Sequence, residues 1–174
     1  MKDIARLDLA GPAESAALAA ALAPCLDAGD ILALAGPLGS GKTHFARALI
    51  HARGAVEDVP SPTFTLVQIY EPAGAPIWHF DLYRLDSPAD AYELGIEDAF
   101  VHAISLIEWP ERLGTLLPGR ALWLMFDFAA APTHRHLLIR GEGAWTQRLP
   151  PLLAAYRLAP ASKEEASGGT DHQA

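Results

Sequence analysis

Ile31-Leu32-Ala33-Leu34-Ala35-Gly36-Pro37-Leu38-Gly39-Ser40-Gly41-Lys42-Thr43 joins an unbroken apolar run to a complete G-x-x-x-x-G-K-[ST] pattern. The order is that of a buried strand, a glycine-rich turn and a helix, the context the Walker A motif requires. Backbone N–H groups of such a turn point inward at phosphate oxygens, and the helix that follows adds its positive N-terminal dipole. The turn therefore predicts a phosphate cradle made by Leu38, Gly39, Ser40, Gly41, Lys42 and Thr43. The Lys42 ammonium lies between the β- and γ-phosphates and the Thr43 hydroxyl is a ligand for Mg²⁺. A chance glycine-rich turn is the competing explanation, and the lysines argue against it. Only Lys2, Lys42 and Lys163 occur, so the one lysine in the body of the chain sits in the motif.

Length and composition limit what surrounds this site. The chain has 174 residues, 51% of them hydrophobic and 20% charged, enough to bury a full core. No apolar run approaches the roughly 20 residues that cross a membrane, and Met1-Lys2-Asp3-Ile4-Ala5-Arg6 lacks the layout of a secretion signal. A cytoplasmic protein with no membrane partner is expected. Cys25 is the single cysteine, so neither an intrachain disulfide nor a thiolate metal cluster can form. A formal net charge of −8 opposes direct wrapping of nucleic acid, which needs clustered Lys and Arg to neutralise phosphates. Any RNA in the function is then reached indirectly, through a partner.

Along the chain, Gly11-Pro12-Ala13-Glu14-Ser15 reads as a helix start, with Leu18, Leu22 and Leu26 repeating at i+4 and Pro24 ending the helix before Leu26. The Walker helix runs from Thr43 to His51 and closes at Gly54. Runs 63–70 and 77–81, joined by Glu71-Pro72-Ala73-Gly74-Ala75-Pro76, predict a hairpin. Ser87-Pro88-Ala89-Asp90 predicts a helix start that Gly95 stops. Strands are expected over 103–108, 121–128 and 136–140, and Pro150-Pro151 as the opening of a short helix to Arg157. The pattern is α/β: a P-loop nucleotide-binding fold with a central sheet flanked by helices. It gives a single ATPase domain over 1–158 and a disordered tail over 159–174, where Ser, Gly, Glu and Lys dominate.

A P-loop enzyme also needs an acid at the end of a neighbouring strand, and two candidates exist. Ile104-Ser105-Leu106-Ile107-Glu108 is a mostly apolar run ending in a carboxylate, and Ile77-Trp78-His79-Phe80-Asp81 ends similarly. Either acid alone is compatible with a mere strand cap. Glu108 is preferred, because a continuous core strand belongs beside the P-loop strand, leaving Asp81 at the mouth. Absences narrow the class. The only D-x-x-G, Asp8 to Gly11, precedes the P-loop, and the chain contains no asparagine, so the N-K-x-D reading of guanine is missing. The nearest echo of an ABC-type signature, Ser167-Gly168-Gly169, lacks its flanking residues. Arginines are scattered singly instead of forming a kinase lid, which weakens that class without removing it.

Four blocks then carry a specific likeness: 38–43, Ser61-Pro62-Thr63-Phe64-Thr65-Leu66-Val67, His79-Phe80-Asp81-Leu82-Tyr83-Arg84-Leu85, and Leu106-Ile107-Glu108-Trp109-Pro110-Glu111. Together, in order and over roughly residues 7–140, they resemble the TsaE family, small bacterial ATPases of the machinery that makes threonylcarbamoyladenosine in tRNA. The resemblance implies a sheet of mixed strand directions and a weak intrinsic ATPase that acts on a partner pair, the carbamoyl-transferase subunits. It implies that Lys42 and Thr43 hold phosphate and Mg²⁺, that Glu108 is the Walker B acid and a second Mg²⁺ ligand, that Thr63 lies in a switch-like loop, and that Asp81 sits beside the nucleotide. The catalytic set is then Lys42, Glu108 and Asp81. Departures are Pro37, where the family has an acid, and His44, where it often has threonine. Neither contacts phosphate through its side chain. The alternative is a free-standing P-loop small-molecule kinase.

Overall fold

The fold is taken from a computed structural model that describes residues 1–55 and 59–158. The expected tail over 159–174 lies outside the described residues. Among the described residues, seven strands form one sheet: β1 (Lys2–Leu9), β2 (Ile31–Ala35), β3 (Val67–Tyr70), β4 (Ile77–Asp81), β5 (Ile104–Glu108), β6 (Leu122–Phe128) and β7 (Arg135–Gly141). Their order is β1-β7-β6-β2-β5-β4-β3. The four inner strands β6, β2, β5 and β4 are parallel, while β7 and β1 on one side and β3 on the other are antiparallel additions. The sheet is mixed, as the family resemblance implied.

Alternation along β2 divides the core. Leu32 and Leu34 face one layer, with α1 (Pro12–Leu22), α2 (Lys42–Ala52) and α4 (Trp145–Leu158), while Ile31 and Ala33 face α3 (Ile96–His102) and its neighbouring turns. Because both faces are covered, β2 is buried and reads as a continuous apolar run. Leu18 and Leu22 of α1 enter the first layer, and Leu26 follows them after a short 3₁₀ turn that contains Pro24.

Several boundaries differ from the sequence expectation. Residues 63–66 are not strand. Leu66 adopts φ 64, its N–H reaches Pro62 O at 2.6 Å, and the chain becomes extended only at Val67. Neither β1 nor α3 was expected. β1 buries only Leu7 and Leu9 fully and is completed by pairing with the distant β7. Ser87 begins only a 3₁₀ turn, Pro88–Tyr92, with its N–H on Asp90 Oδ2 at 2.9 Å. Gly95, expected to end a helix, instead begins α3 at φ 74, and a Cβ there would come within 3.2 Å of the Trp78 ring. The last helix starts at Trp145, before its prolines. Trp145, Leu149 and Leu153 bury one face at i+4 spacing, and Pro150 and Pro151 lie on the exposed side, where water can take the carbonyls they leave free. No helix among the described residues is long and apolar enough to cross a membrane.

Candidate nucleotide site

The parallel strands β2, β5 and β4 all end on one edge of the sheet, where open α/β sheets place their ligands. At that edge β2 gives way to the P-loop. Gly36 passes so close to β6 that a Cβ would lie 2.3 Å from Phe126 O, so only glycine fits. Gly41, at φ 104, turns the chain into α2, and its carbonyl accepts the Phe45 N–H at 3.0 Å.

Lys42 is 4% exposed. Its Nζ donates to Gly36 O at 2.7 Å and to Pro37 O at 2.9 Å, and lies 4.1 Å from the centre of the Trp109 ring. Among the described residues no carboxylate lies within ion-pairing distance of it. Burial pushes its pKa below the usual lysine value, against the opposing fields of Glu108, Glu111 and Asp81. A largely buried ammonium at the wall of a cleft, with no paired carboxylate among the described residues, is the group a phosphate would complete.

Strand register brings the two acids together. Leu34 pairs with Glu108 and Glu108 with Asp81, so three adjacent strand ends meet. Glu108 has the parity of Ile104 and Leu106, and Asp81 that of Ile77, all on the layer that holds α2. Glu108 is therefore aimed at the first turn of α2. Its Oε2 accepts from Thr43 Oγ1 at 2.8 Å, and its Oε1 meets His79 Nε2 at 2.8 Å. Asp81 Oδ2 accepts from Thr63 Oγ1 at 2.7 Å, and Oδ1 accepts the Tyr83 N–H at 3.1 Å. Ser61 Oγ lies 2.7 Å from Thr63 Oγ1, which extends the chain of hydroxyls. The left-handed turn at Leu66 returns this loop to the sheet, where its carbonyl takes the Asp81 N–H at 3.0 Å.

The result is a cleft of about 430 Å³ whose walls include Leu38, Gly39, Gly41, Lys42, Thr43, Thr63, Asp81 and Glu108. Ser40, the remaining expected cradle residue, is buried in the loop, and its Oγ has no hydrogen-bond partner among the described residues. His44 also borders the cleft; it is exposed, and its Nε2 meets Pro12 O at 2.9 Å. Trp109, in a left-handed conformation at φ 59, walls the cleft and lies 4.9 Å from the Tyr83 ring.

Two residues were not anticipated. His79 is fully buried with its Nδ1 unpartnered among the described residues, and it occupies the second oxygen of Glu108. Its two-residue spacing from Asp81 was a usable signal, since alternate strand residues share a face. Arg47, one turn beyond Thr43 on α2, lines the cleft and donates from Nε to Val59 O at 2.7 Å; the i+4 spacing from Thr43 was its signal.

The donor set suits a nucleotide with a hard cation. Backbone N–H groups and an ammonium are ready for phosphate, and the Thr43 hydroxyl touches the Glu108 carboxylate. Among the described residues no group of three or more His, Cys, Asp or Glu is arranged to hold a metal. Such a sparse oxygen set matches Mg²⁺, which is held by one or two protein oxygens and the phosphates themselves.

Comparison with known proteins settles the family. The model of the family described as "Threonylcarbamoyl adenosine biosynthesis protein TsaE" matches residues 9–136. The chain belongs to the TsaE family. A TsaE protein of Rickettsia felis is 47% identical over 105 residues, 60% of this chain and 61% of the relative. A Bacillus subtilis TsaE is 33% identical over 119 residues, 68% of this chain and 74% of the relative. Both are named as tRNA threonylcarbamoyladenosine biosynthesis proteins. The match thus spans less than two thirds of the length of the Rickettsia relative. Among solved structures, Bacillus subtilis YdiB superposes with a TM-score of 0.74 at 25% identity, covering 87% of this chain and 95% of YdiB. This member of the TsaE family thus shares the α/β fold of YdiB and carries a complete Walker A loop at the end of β2.

Proposed function

We propose that this chain binds ATP with Mg²⁺ and hydrolyses it slowly, as an accessory protein of tRNA threonylcarbamoyladenosine synthesis that acts on the carbamoyl-transferase subunit pair. The observation that carries this reading is the buried Lys42, with no carboxylate at ion-pairing distance among the described residues, beside a hydrogen bond between Thr43 at the start of α2 and Glu108 at the end of β5. In this proposal the backbone of Leu38, Gly39, Ser40 and Gly41 and the Lys42 ammonium bind the phosphates. Thr43 and Glu108 hold Mg²⁺, which neutralises charge on the phosphate oxygens. Asp81, fixed by Thr63 and the Tyr83 N–H, orients water at the mouth of the cleft. ATP is favoured over GTP because the chain has no asparagine for an N-K-x-D contact to guanine.

A protein partner is favoured over direct contact with tRNA by the net charge of −8. Beside the cleft, Phe64 is 83% exposed, Arg84 stacks over its ring at 4.8 Å, and Tyr83 is 45% exposed. Aromatic and arginine side chains of this kind are what protein interfaces bury. The test is ATP turnover by the isolated chain and with the partner pair added. Slow turnover that rises with the pair supports the proposal. Phosphate transfer to a small metabolite by the isolated chain would establish a kinase instead.

A further inference from the structure

The P-loop is gripped from outside the cleft by a residue 96 positions away in sequence. Arg135, the first residue of β7, donates from Nε to Ser40 O at 3.1 Å and from Nη2 to Gly39 O at 3.2 Å. Its Nη1 is anchored on Pro132 O at 2.8 Å and His134 O at 2.7 Å, and the guanidinium lies 4.9 Å from the Phe128 ring centre. The guanidinium is thereby fixed to the β6–β7 hairpin before it reaches the loop. Arg135 does not line the cleft.

In a planar trans peptide, the C=O and N–H point in opposite directions. Ser40 O shares its peptide with the Gly41 N–H, so holding that carbonyl outward turns the Gly41 N–H away from Arg135, toward the inner side of the loop. Gly39 O shares its peptide with the Ser40 N–H, which closes the turn on Pro37 O at 3.2 Å. Gly39 and Gly41 adopt φ 77 and 104, and glycine has little intrinsic preference between backbone orientations. The Gly39–Ser40 peptide is held from both sides, by Pro37 O and by Arg135, and the second prong of the guanidinium fixes the Ser40–Gly41 peptide that follows it.

We propose that Arg135 is a positioning residue for phosphate binding: its fork on the Gly39 and Ser40 carbonyls braces the P-loop turn and presets the Gly41 N–H to meet the polyphosphate. This rests on the nucleotide reading above. It assigns no contact between Arg135 and the nucleotide.

The test is calorimetric titration of the parent, Arg135→Gln and Arg135→Lys with Mg-ATP and, separately, with magnesium tripolyphosphate, beside ligand-free melting. Arg135→Gln should weaken both ligands by a similar factor, roughly 10- to 100-fold. Its ligand-free melting temperature should stay within about 2 °C of the parent, because Arg135 is only partly buried and most of its contacts are exposed. Arg135→Lys should not restore binding, since an ammonium keeps the charge but not the planar fork. Unchanged affinity in Arg135→Gln overturns the proposal. So does a loss confined to ATP, which would mean a contact with the nucleoside, and so does full recovery in Arg135→Lys, which would mean charge alone. A parent that binds neither ligand defeats the nucleotide reading and this inference with it.

Discussion

The two ends of β2 carry similar chemistry arranged in opposite ways. At the amino end, Asp30 and Arg148 close a bidentate pair, Nη1 to Oδ1 at 2.9 Å and Nη2 to Oδ2 at 2.7 Å. The Asp27 N–H adds 2.9 Å to Asp30 Oδ2, the Cys25 carbonyl accepts from the same guanidinium, and Arg148 stacks on Trp145 at 4.4 Å. The hydrogen bond to Asp30 holds the Arg148 pKa above its usual value. The small cleft there, about 210 Å³, is walled by Asp30 and Arg148, which hold each other, by Glu142, which pairs with the Met1 amino group, and by the exposed Arg120, which donates to Phe100 O at 2.6 Å. At the carboxyl end, Lys42 is more deeply buried yet meets, among the described residues, only two carbonyls and a ring face. A buried cation without an anion is a cost to the fold, and a site that keeps one has another use for it. Cleft geometry alone does not separate the two ends. Burial of an unfinished charge does.

The largest effect should follow removal of that charge. Lys42→Ala should weaken Mg-ATP binding roughly 100-fold or more, since charge-assisted contacts to phosphate are lost. Its ligand-free melting temperature should hold or rise, because a desolvated ammonium is removed. Equal thermal shifts with Mg-ATP in variant and parent would put the phosphate elsewhere.

Glu108→Gln keeps the size and hydrogen-bonding capacity of the side chain but not its charge. Hydrolysis in the assembled complex should fall about 100-fold, with ATP affinity within about threefold of the parent. Unchanged turnover would reduce Glu108 to a strand cap and pass its role to Asp81.

Arg148→Ala supplies the opposite case. It should lower stability by about 1–2 kcal/mol, the scale of a partly exposed charged hydrogen-bonded pair, and leave ATP affinity unchanged. Denaturant unfolding and nucleotide titration of the same sample check both halves. A loss of ATP affinity would link the two ends and end the contrast.

The smallest effect on the isolated chain is expected at the rim. Alanine at Tyr83 or Arg84 should leave ATP binding nearly intact and weaken ATP-dependent association with the partner pair, measured in ATP and in ADP. Tight, salt-sensitive binding of the parent to bare tRNA would overturn the partner reading.

What could be read from sequence follows the range of the contacts. The P-loop is contiguous, so Ile31 to Thr43 declared strand, loop and helix together. Glu108 was legible because a mostly apolar run needs burial on both faces, which places β5 beside β2. The loop before β3 was not, because Leu66 is held at φ 64 by contacts to Pro62 and to Asp81 in another strand. β1 stayed hidden for a similar reason: its partner β7 lies at the far end of the chain. Pro150 and Pro151 read as a helix start, and burial of Trp145, Leu149 and Leu153 overrode them. Arg135 had no sequence signal at all, since its role is set by where the β6–β7 hairpin meets the P-loop.

The most direct test follows amide resonances of the isotopically labelled chain during titration with Mg-ATP. The account predicts the largest shifts at Gly39, Ser40, Gly41, Lys42 and Thr43, with further shifts at Asp81, Glu108 and Trp109 and none at Asp30, Arg120 or Arg148. Shifts centred on Asp30 and Arg148, with the P-loop unmoved, would contradict it.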